Sequence, residues 1–85
     1  MRSIHSKPYS MIIDALIVAR KAAPLTQVEL AKIWGKKQPT ITKIEQCERR
    51  IDMAEFLELC IILNTNPTDI LREAHLEMKR SMLSR

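Results

Sequence analysis

Apolar residues recur along this chain at spacings of three and four, and polar or turn-forming residues divide the pattern into five segments. Such spacing places the apolar side chains of each segment on one face of an α-helix. Strong helix formers fill the segments, whereas Pro, Asn and a single Gly stand between them. The sequence therefore predicts an all-α fold of five helices, over residues 10–21, 27–34, 38–46, 53–63 and 67–82.

Residues that cap helices set the predicted boundaries. Thr26 with Glu29, and Asp52 with Glu55, have the spacing of a capping box, in which each side chain accepts a backbone N–H from the other residue. Gly35 follows the second helix, where a left-handed conformation favours glycine. The other predicted boundaries are an N-cap at Ser10, the end of the first helix before Pro24, a left-handed exit at Asn64, and the Asn66-Pro67 start of the last helix.

The length of 85 residues fits one domain. A core of this size contributes only about 3–5 kcal/mol of stability, so a partner subunit would be an advantage. We predict a flexible tail over residues 1–9 and one folded domain over residues 10–85, whose last helix serves dimerisation.

The formal charge of +4 is distributed unevenly. Residues 36–50 hold five Lys or Arg against two Glu, while residues 51–71 hold four acids and no base. A basic patch of limited extent is typical of a surface that neutralises DNA phosphates. A solvated charged face is the alternative explanation.

The other residues argue against an enzyme, a metalloprotein and a membrane protein. Cys47 and Cys60 lack metal-ligand spacing, and neither a nucleophile triad nor a glycine-rich phosphate loop occurs. Neither a long apolar run nor a signal peptide is recognisable. We therefore expect a cytoplasmic protein with reduced cysteines, no metal, no cofactor, no membrane association and no evident small-molecule effector.

The segment 25–47 has the layout of two short helices joined by a tight turn, which suits a DNA-reading helix-turn-helix. The second helix would offer base edges an amide, hydroxyls, a methyl group and an ammonium group. The predicted base contacts are Gln38, Pro39, Thr40, Thr42 and Lys43. The predicted backbone contacts are Gln27, Lys36, Lys37, Arg49 and Arg50. Ordinary solvent-exposed polar residues are the alternative for each.

Gln27, Ala31, Gly35, Ile41 and Glu45, within the motifs LTQVELA and ITKIE, match the pattern of the phage-repressor and Cro family of XRE type, which this chain resembles over residues 13–71. The resemblance implies a lambda-repressor-like helical bundle. It also implies a sequence-specific regulator of double-stranded DNA, such as a repressor of the phage or restriction–modification control type, that acts as a homodimer on a near-palindromic operator.

The resemblance also assigns structural roles. Arg20 and Glu45 match a family ion pair that links the first helix to the third. Three residues depart from the family pattern: Cys47 replaces a Gly, Ile51 replaces a Pro, and Pro39 replaces a polar side chain.

The last helix carries an apolar stripe at every fourth residue. This stripe, together with the resemblance, predicts a dimer interface formed by Ile70, Ala74, Met78 and Met82. The alternative is that the stripe closes the core of the monomer. The alternative for function is a protein-interaction module, such as an antitoxin-like or adaptor helix-turn-helix domain.

Overall fold

The computed structural model describes residues 6–84. Five α-helices occupy this part of the chain, which confirms the predicted fold class and helix order. Their bounds are α1 Lys7–Ala22, α2 Gln27–Trp34, α3 Gln38–Glu45, α4 Met53–Ile62 and α5 Pro67–Leu83.

The predicted capping residues start three of the helices. At α2, Thr26 Oγ1 accepts the N–H of Glu29 at 3.1 Å and Glu29 Oε1 accepts the N–H of Thr26 at 2.8 Å. Asp52 and Glu55 form the same box at α4, with distances of 2.7 and 3.0 Å. Asn66 Oδ1 accepts the N–H of Thr68 at 2.8 Å at the start of α5. Local sequence therefore determines where these helices begin.

The predicted start of the first helix is wrong. α1 begins at Lys7, because the Ser6 hydroxyl accepts the N–H of Tyr9 at 3.3 Å and Pro8 lies in the first turn, where its missing N–H costs nothing. Ser10 is inside the helix, and its hydroxyl donates to the carbonyl of Lys7. The predicted tail is therefore too long at its C-terminal end, and its residues 1–5 lie outside the described part of the chain.

Three helices end in the same way. Gly35, Cys47 and Asn64 have φ values of 75°, 58° and 51°, and each follows the last turn of α2, α3 or α4. At each of these positions, the N–H of the left-handed residue and the N–H of the next residue donate to carbonyls in the last turn of the helix. At the end of α3, for example, Cys47 N donates to the Ile44 carbonyl and Glu48 N donates to the Lys43 carbonyl. This is the Schellman arrangement, and it holds the non-glycine Cys47 in a left-handed conformation.

The main core lies where α1, α2, α3 and α4 meet. All of its members are at most 5% exposed: Ile13, Leu16, Leu30, Ala31, Ile41, Ile44, Phe56, Leu59, Cys60 and Leu63. Because α3 contributes only two of these residues, most of its surface remains outside the core.

The first half of α5 packs within the monomer, as in the alternative for its apolar stripe, and a dimer interface on this helix stays a prediction. α5 packs on α1. Ala74 is 5% exposed and Ile70 is partly buried against the core, so neither presents a full side chain to a partner. Met78 and Met82 are 40% and 54% exposed, and they retain the exposure that the predicted interface requires.

Candidate nucleic-acid interface

Two isoleucines fix the orientation of α3. Ile41 and Ile44 are 2% and 4% exposed, so the opposite side of this short helix faces solvent. The structure places all five predicted base-contact residues on α3, with Gln38, Pro39 and Lys43 exposed and Thr40 and Thr42 half-buried. The exposed side therefore carries an amide, a pyrrolidine ring and an ammonium group.

The turn between α2 and α3 carries two of the predicted phosphate-binding cations. Lys36 and Lys37 follow Gly35 directly, and both are exposed. The ammonium of Lys36 lies 5.1 Å from the centre of the Trp34 ring, a cation–π contact. The indole N–H of Trp34 in turn donates to Glu58 at 3.1 Å. The turn is thus attached to α4 through Trp34.

Arg20 on α1 connects α1 to α3 and to Leu25 in the segment before α2. Its guanidinium donates from Nε to Glu45 Oε2 at 2.7 Å and from Nη2 to Glu45 Oε1 at 3.0 Å. A third bond runs from Nη1 to the carbonyl of Leu25 at 2.9 Å. Arg20 is 8% exposed, and its charge is compensated by this bidentate pair. The pair fixes the C-terminal end of α3 relative to α1.

Gln27 extends this network to the exposed side of α3. Its Nε2 donates to Glu45 Oε1 at 2.9 Å, and its Oε1 accepts from the Thr42 hydroxyl at 2.8 Å and from Gln38 Nε2 at 3.3 Å. Sequence reasoning proposed Gln27 for a phosphate contact and missed these bonds. The side chain joins the ion pair to the first two turns of α3.

Arg49 and Arg50, predicted together as backbone contacts, have different surroundings. The guanidinium of Arg49 contacts both carboxylate oxygens of Glu55, at 3.0 and 3.3 Å, and donates to the carbonyl of Arg50 at 3.0 Å. The hydrogen bond from Arg49 holds the pKa of Glu55 below its ordinary value. Arg49 thus has a partner within the monomer. Arg50 is exposed and is the stronger candidate for phosphate contact.

Tyr9 supports the segment between α3 and α4 from the first turn of α1. Its hydroxyl oxygen accepts the backbone N–H of Ile51 at 3.0 Å. Burial raises the pKa of this phenol. A proline at position 51, as in the family pattern, has no N–H to donate. Because Ile51 stands where the family pattern has Pro, its N–H can donate this hydrogen bond to Tyr9, which the sequence did not predict.

The segment from α2 to α3 defines the class of this domain. Two eight-residue helices meet at a left-handed glycine turn, and the second presents a polar side to solvent. This is the helix-turn-helix arrangement of DNA-binding proteins.

Comparison with known proteins agrees with this class. A family model described as helix-turn-helix matches residues 16–70, well over half of the chain. The protein belongs to this family of DNA-binding regulators, of the XRE or lambda-repressor-like type. No curated protein and no solved structure matches the chain. Within residues 6–84, no helix has the length and apolar character needed to span a membrane.

Proposed function

We propose that the protein is a sequence-specific repressor that binds double-stranded DNA as a homodimer on a near-palindromic operator. The observation that supports this most strongly is the hydrogen-bond network from Arg20 through Glu45 and Gln27 to Gln38 and Thr42. A reading helix discriminates between bases only when its side chains reach the groove in a fixed orientation. The network holds the reading side of α3 in one orientation before DNA is bound.

The exposed side of α3 supplies the proposed base contacts. The Gln38 amide matches the N6 and N7 groups of adenine once its nitrogen gives up one of its two bonds within the monomer, which run to Gln27 Oε1 and to Thr42 Oγ1, each at 3.3 Å. Lys43 can donate to guanine O6 and N7 or to a phosphate. Pro39 presents apolar surface suited to the methyl group of thymine. Thr40 and Thr42 lie at the border of this side, where a hydroxyl or methyl group meets a base or a phosphate.

Phosphate contacts are proposed for the groups around α3. Lys36 and Lys37 precede it, and Arg50 follows it on the loop to α4. Because the side chain of Gln27 is occupied by Glu45 and Thr42, we assign its phosphate contact to the backbone N–H at the N-terminal end of α2. The capping box occupies the N–H of Glu29, so the contact is left to the N–H groups of Gln27 and Val28, which have no acceptor within the helix.

A selection of bound DNA from random duplexes tests this proposal. The expected product contains two related half-sites whose centres are one helical turn, about 10–10.5 base pairs, apart. Recovery of unrelated sequences would contradict sequence-specific binding, and a single isolated half-site would contradict binding as a dimer.

The dependence of affinity on salt separates DNA binding from the protein-interaction alternative. For the wild-type chain, log affinity should fall steeply with log salt concentration, and Lys37→Gln should reduce the slope by about 0.9. Arg72→Gln is the matched control, because Arg72 lies on α5 and pairs with Asp69 there. A wild-type slope near zero would instead support a protein-interaction module.

A further inference from the structure

A surface groove lies against the loop that joins α3 to α4. Its volume is about 290 Å³, close to the value of about 300 Å³ at which small-molecule sites begin. Phe56 is 3% exposed at this groove, so part of its floor belongs to the core. We call it the loop groove, and its apolar lining comes from α1, the loop, α4 and α5: Ile12, Ile51, Met53, Phe56 and Leu71.

The hydroxyl group of Tyr9 also lines the loop groove. Its oxygen accepts the N–H of Ile51 at 3.0 Å, which leaves the hydroxyl proton to be donated. Among residues 6–84 no group accepts this proton. Tyr9 therefore offers one hydrogen-bond donor to a molecule bound in the groove.

A second donor in the groove is the guanidinium of Arg50. The side chain is exposed, and in the described part of the chain no carboxylate pairs with it. Burial raises the pKa of the Tyr9 phenol, and the positive charge of Arg50 opposes this rise. The guanidinium is thus close enough to the hydroxyl for both groups to act on one ligand.

The carboxylate of Asp52 is the negative charge in the lining, and it is already engaged. Its Oδ1 accepts the N–H of Glu55 at 2.7 Å at the start of α4. The pKa of Arg49 is raised first by its hydrogen bond to Glu55 and also by the charge of Asp52, so Asp52 has a cation nearby as well. Arg50 remains the charge of the groove that lacks a partner.

These groups define the chemistry of a ligand. A guanidinium and a hydroxyl proton together suit a carboxylate, because a carboxylate accepts several hydrogen bonds and pairs with arginine in a bidentate manner. Apart from Tyr9, Arg50 and Asp52, the lining side chains are hydrocarbon or thioether, so the rest of the ligand should be apolar. If each heavy atom takes about 30 Å³, as a water molecule does, the groove has room for about ten.

We propose that the loop groove binds a free medium-chain carboxylate of about eight to ten carbon atoms. The carboxylate pairs with Arg50 and accepts the Tyr9 proton, while the hydrocarbon chain lies on Phe56 and Leu71. Because the ligand and a DNA phosphate then compete for Arg50, the ligand lowers DNA affinity. This effect rests on the proposed function, in which Arg50 contacts the DNA backbone. The sequence showed no evident effector site, because the lining comes from four separate segments.

Binding of sodium decanoate below its micelle-forming concentration tests the site without DNA. Calorimetry should show saturable binding, and the largest amide chemical-shift changes should lie at Ile51, Phe56 and Leu71. Affinity should rise from hexanoate through octanoate to decanoate by about twofold to fourfold per methylene, since full burial of one methylene corresponds to about fourfold.

Two substitutions separate recognition of the carboxylate from apolar binding. Arg50→Gln should weaken decanoate binding by about threefold to tenfold, whereas 1-decanol, which has no charge, should bind this variant and the wild type equally. Tyr9→Phe should weaken decanoate binding by about twofold to fivefold. The matched control is Lys21→Gln, which removes one positive charge at the opposite end of α1 from Tyr9 and should leave decanoate binding unchanged.

Three results would overturn the site. The first is a set of shifts that does not saturate or that spreads over the whole surface. The second is an Arg50→Gln chain, with the circular dichroism of the wild type, that binds decanoate as tightly as the wild type. The third is a groove whose amides respond to dilution of the protein and not to decanoate, because a second copy of the chain is then the occupant.

DNA affinity separates a failure of this inference from a failure of the proposed function. Decanoate should weaken DNA binding by the wild type and reduce its salt slope by about 0.9, and it should leave the DNA affinity of Arg50→Gln unchanged. Salt-dependent DNA binding that decanoate does not alter would overturn the competition and leave the proposed function intact. Decanoate binding as expected, in a chain whose DNA affinity is independent of salt, would overturn the proposed function instead.

Discussion

Arg20 on α1 and Glu45 on α3 form a bidentate ion pair, with N···O distances of 2.7 and 3.0 Å, and both side chains are close to 10% exposed. The two residues are 25 positions apart, so the pair links one end of the helix-turn-helix to the helix that precedes it. The same carboxylate accepts from Gln27, which in turn contacts Thr42 and Gln38. The orientation of α3 therefore depends on a charge carried by α1.

Removal of either partner of this pair should be more damaging than removal of both. Arg20→Met leaves the Glu45 carboxylate without its cation, and Glu45→Leu leaves a buried guanidinium, so each should lower the free energy of unfolding by about 3–5 kcal/mol. The double variant should lose less than either single variant. Because a core of this size contributes only about 3–5 kcal/mol, circular dichroism should show the single variants largely unfolded, whereas the double variant should keep a measurable urea transition. A double variant that is less folded than either single variant would contradict this role of the pair.

The hydrogen bond between the Tyr9 hydroxyl and the Ile51 N–H should be detectable as a coupling free energy between these two residues. Tyr9→Phe removes the acceptor of the Ile51 N–H and should lower stability by about 1 kcal/mol. In an Ile51→Pro chain the N–H is already absent, and the same substitution should then have almost no effect. Denaturation of the four members of this cycle gives the coupling free energy. An equal loss in both backgrounds would show that the bond contributes nothing.

The conformation of Cys47 predicts opposite effects for two substitutions. Because Cys47 has a φ of 58°, Val at this position should destabilise the protein by about 1–2 kcal/mol, since a branched side chain is poorly accommodated there. Gly should keep the stability within about 1 kcal/mol of the wild type, because it adopts the conformation without strain but loses the packing of the thiol side chain. Thermal unfolding compares the two; a Val variant as stable as the Gly variant would be inconsistent with the left-handed loop.

The Arg49–Glu55 ion pair should contribute to the loss of folding stability at acid pH. The pKa of Glu55 lies below its ordinary value of 4.5 in the folded protein, chiefly because Arg49 donates to the carboxylate. A group whose pKa is depressed by folding stabilises the protein above the unfolded pKa, and this stability is lost as the pH falls through the folded pKa. Glu55→Gln should therefore reduce the loss of stability that occurs between roughly pH 6 and pH 3. Urea denaturation at the two pH values measures it, and an unchanged loss would contradict this role.

Local signals in the sequence were sufficient for most of the fold. The capping boxes at Thr26 and Asp52 and the turn at Gly35 depend on neighbours within a few residues, so their spacing is visible in the sequence. The start of α1 was missed although Ser6 and Pro8 provide a start signal of the same kind, because Ser10 was also a plausible cap.

The contacts that complete the candidate site could not be predicted from spacing alone. Tyr9 reaches Ile51 across 42 positions, and Gln27 reaches Thr42 and Glu45 across 15 and 18 positions, so no helical period relates them. The apolar stripe of α5 was visible as a pattern, but the pattern does not specify what it packs against. Ala74 packs within the monomer, whereas Met78 and Met82 are exposed.

If the exposed side of α3 reads bases, removal of the Gln38 amide should weaken binding to the operator and not binding to unrelated DNA. The measurement is the affinity of Gln38→Ala, at one salt concentration, for the selected operator and for a random duplex of equal length. Binding to the operator should weaken by about 1–3 kcal/mol, whereas binding to the random duplex should hardly change. Equal losses on the two duplexes, or no loss on the operator, would contradict it.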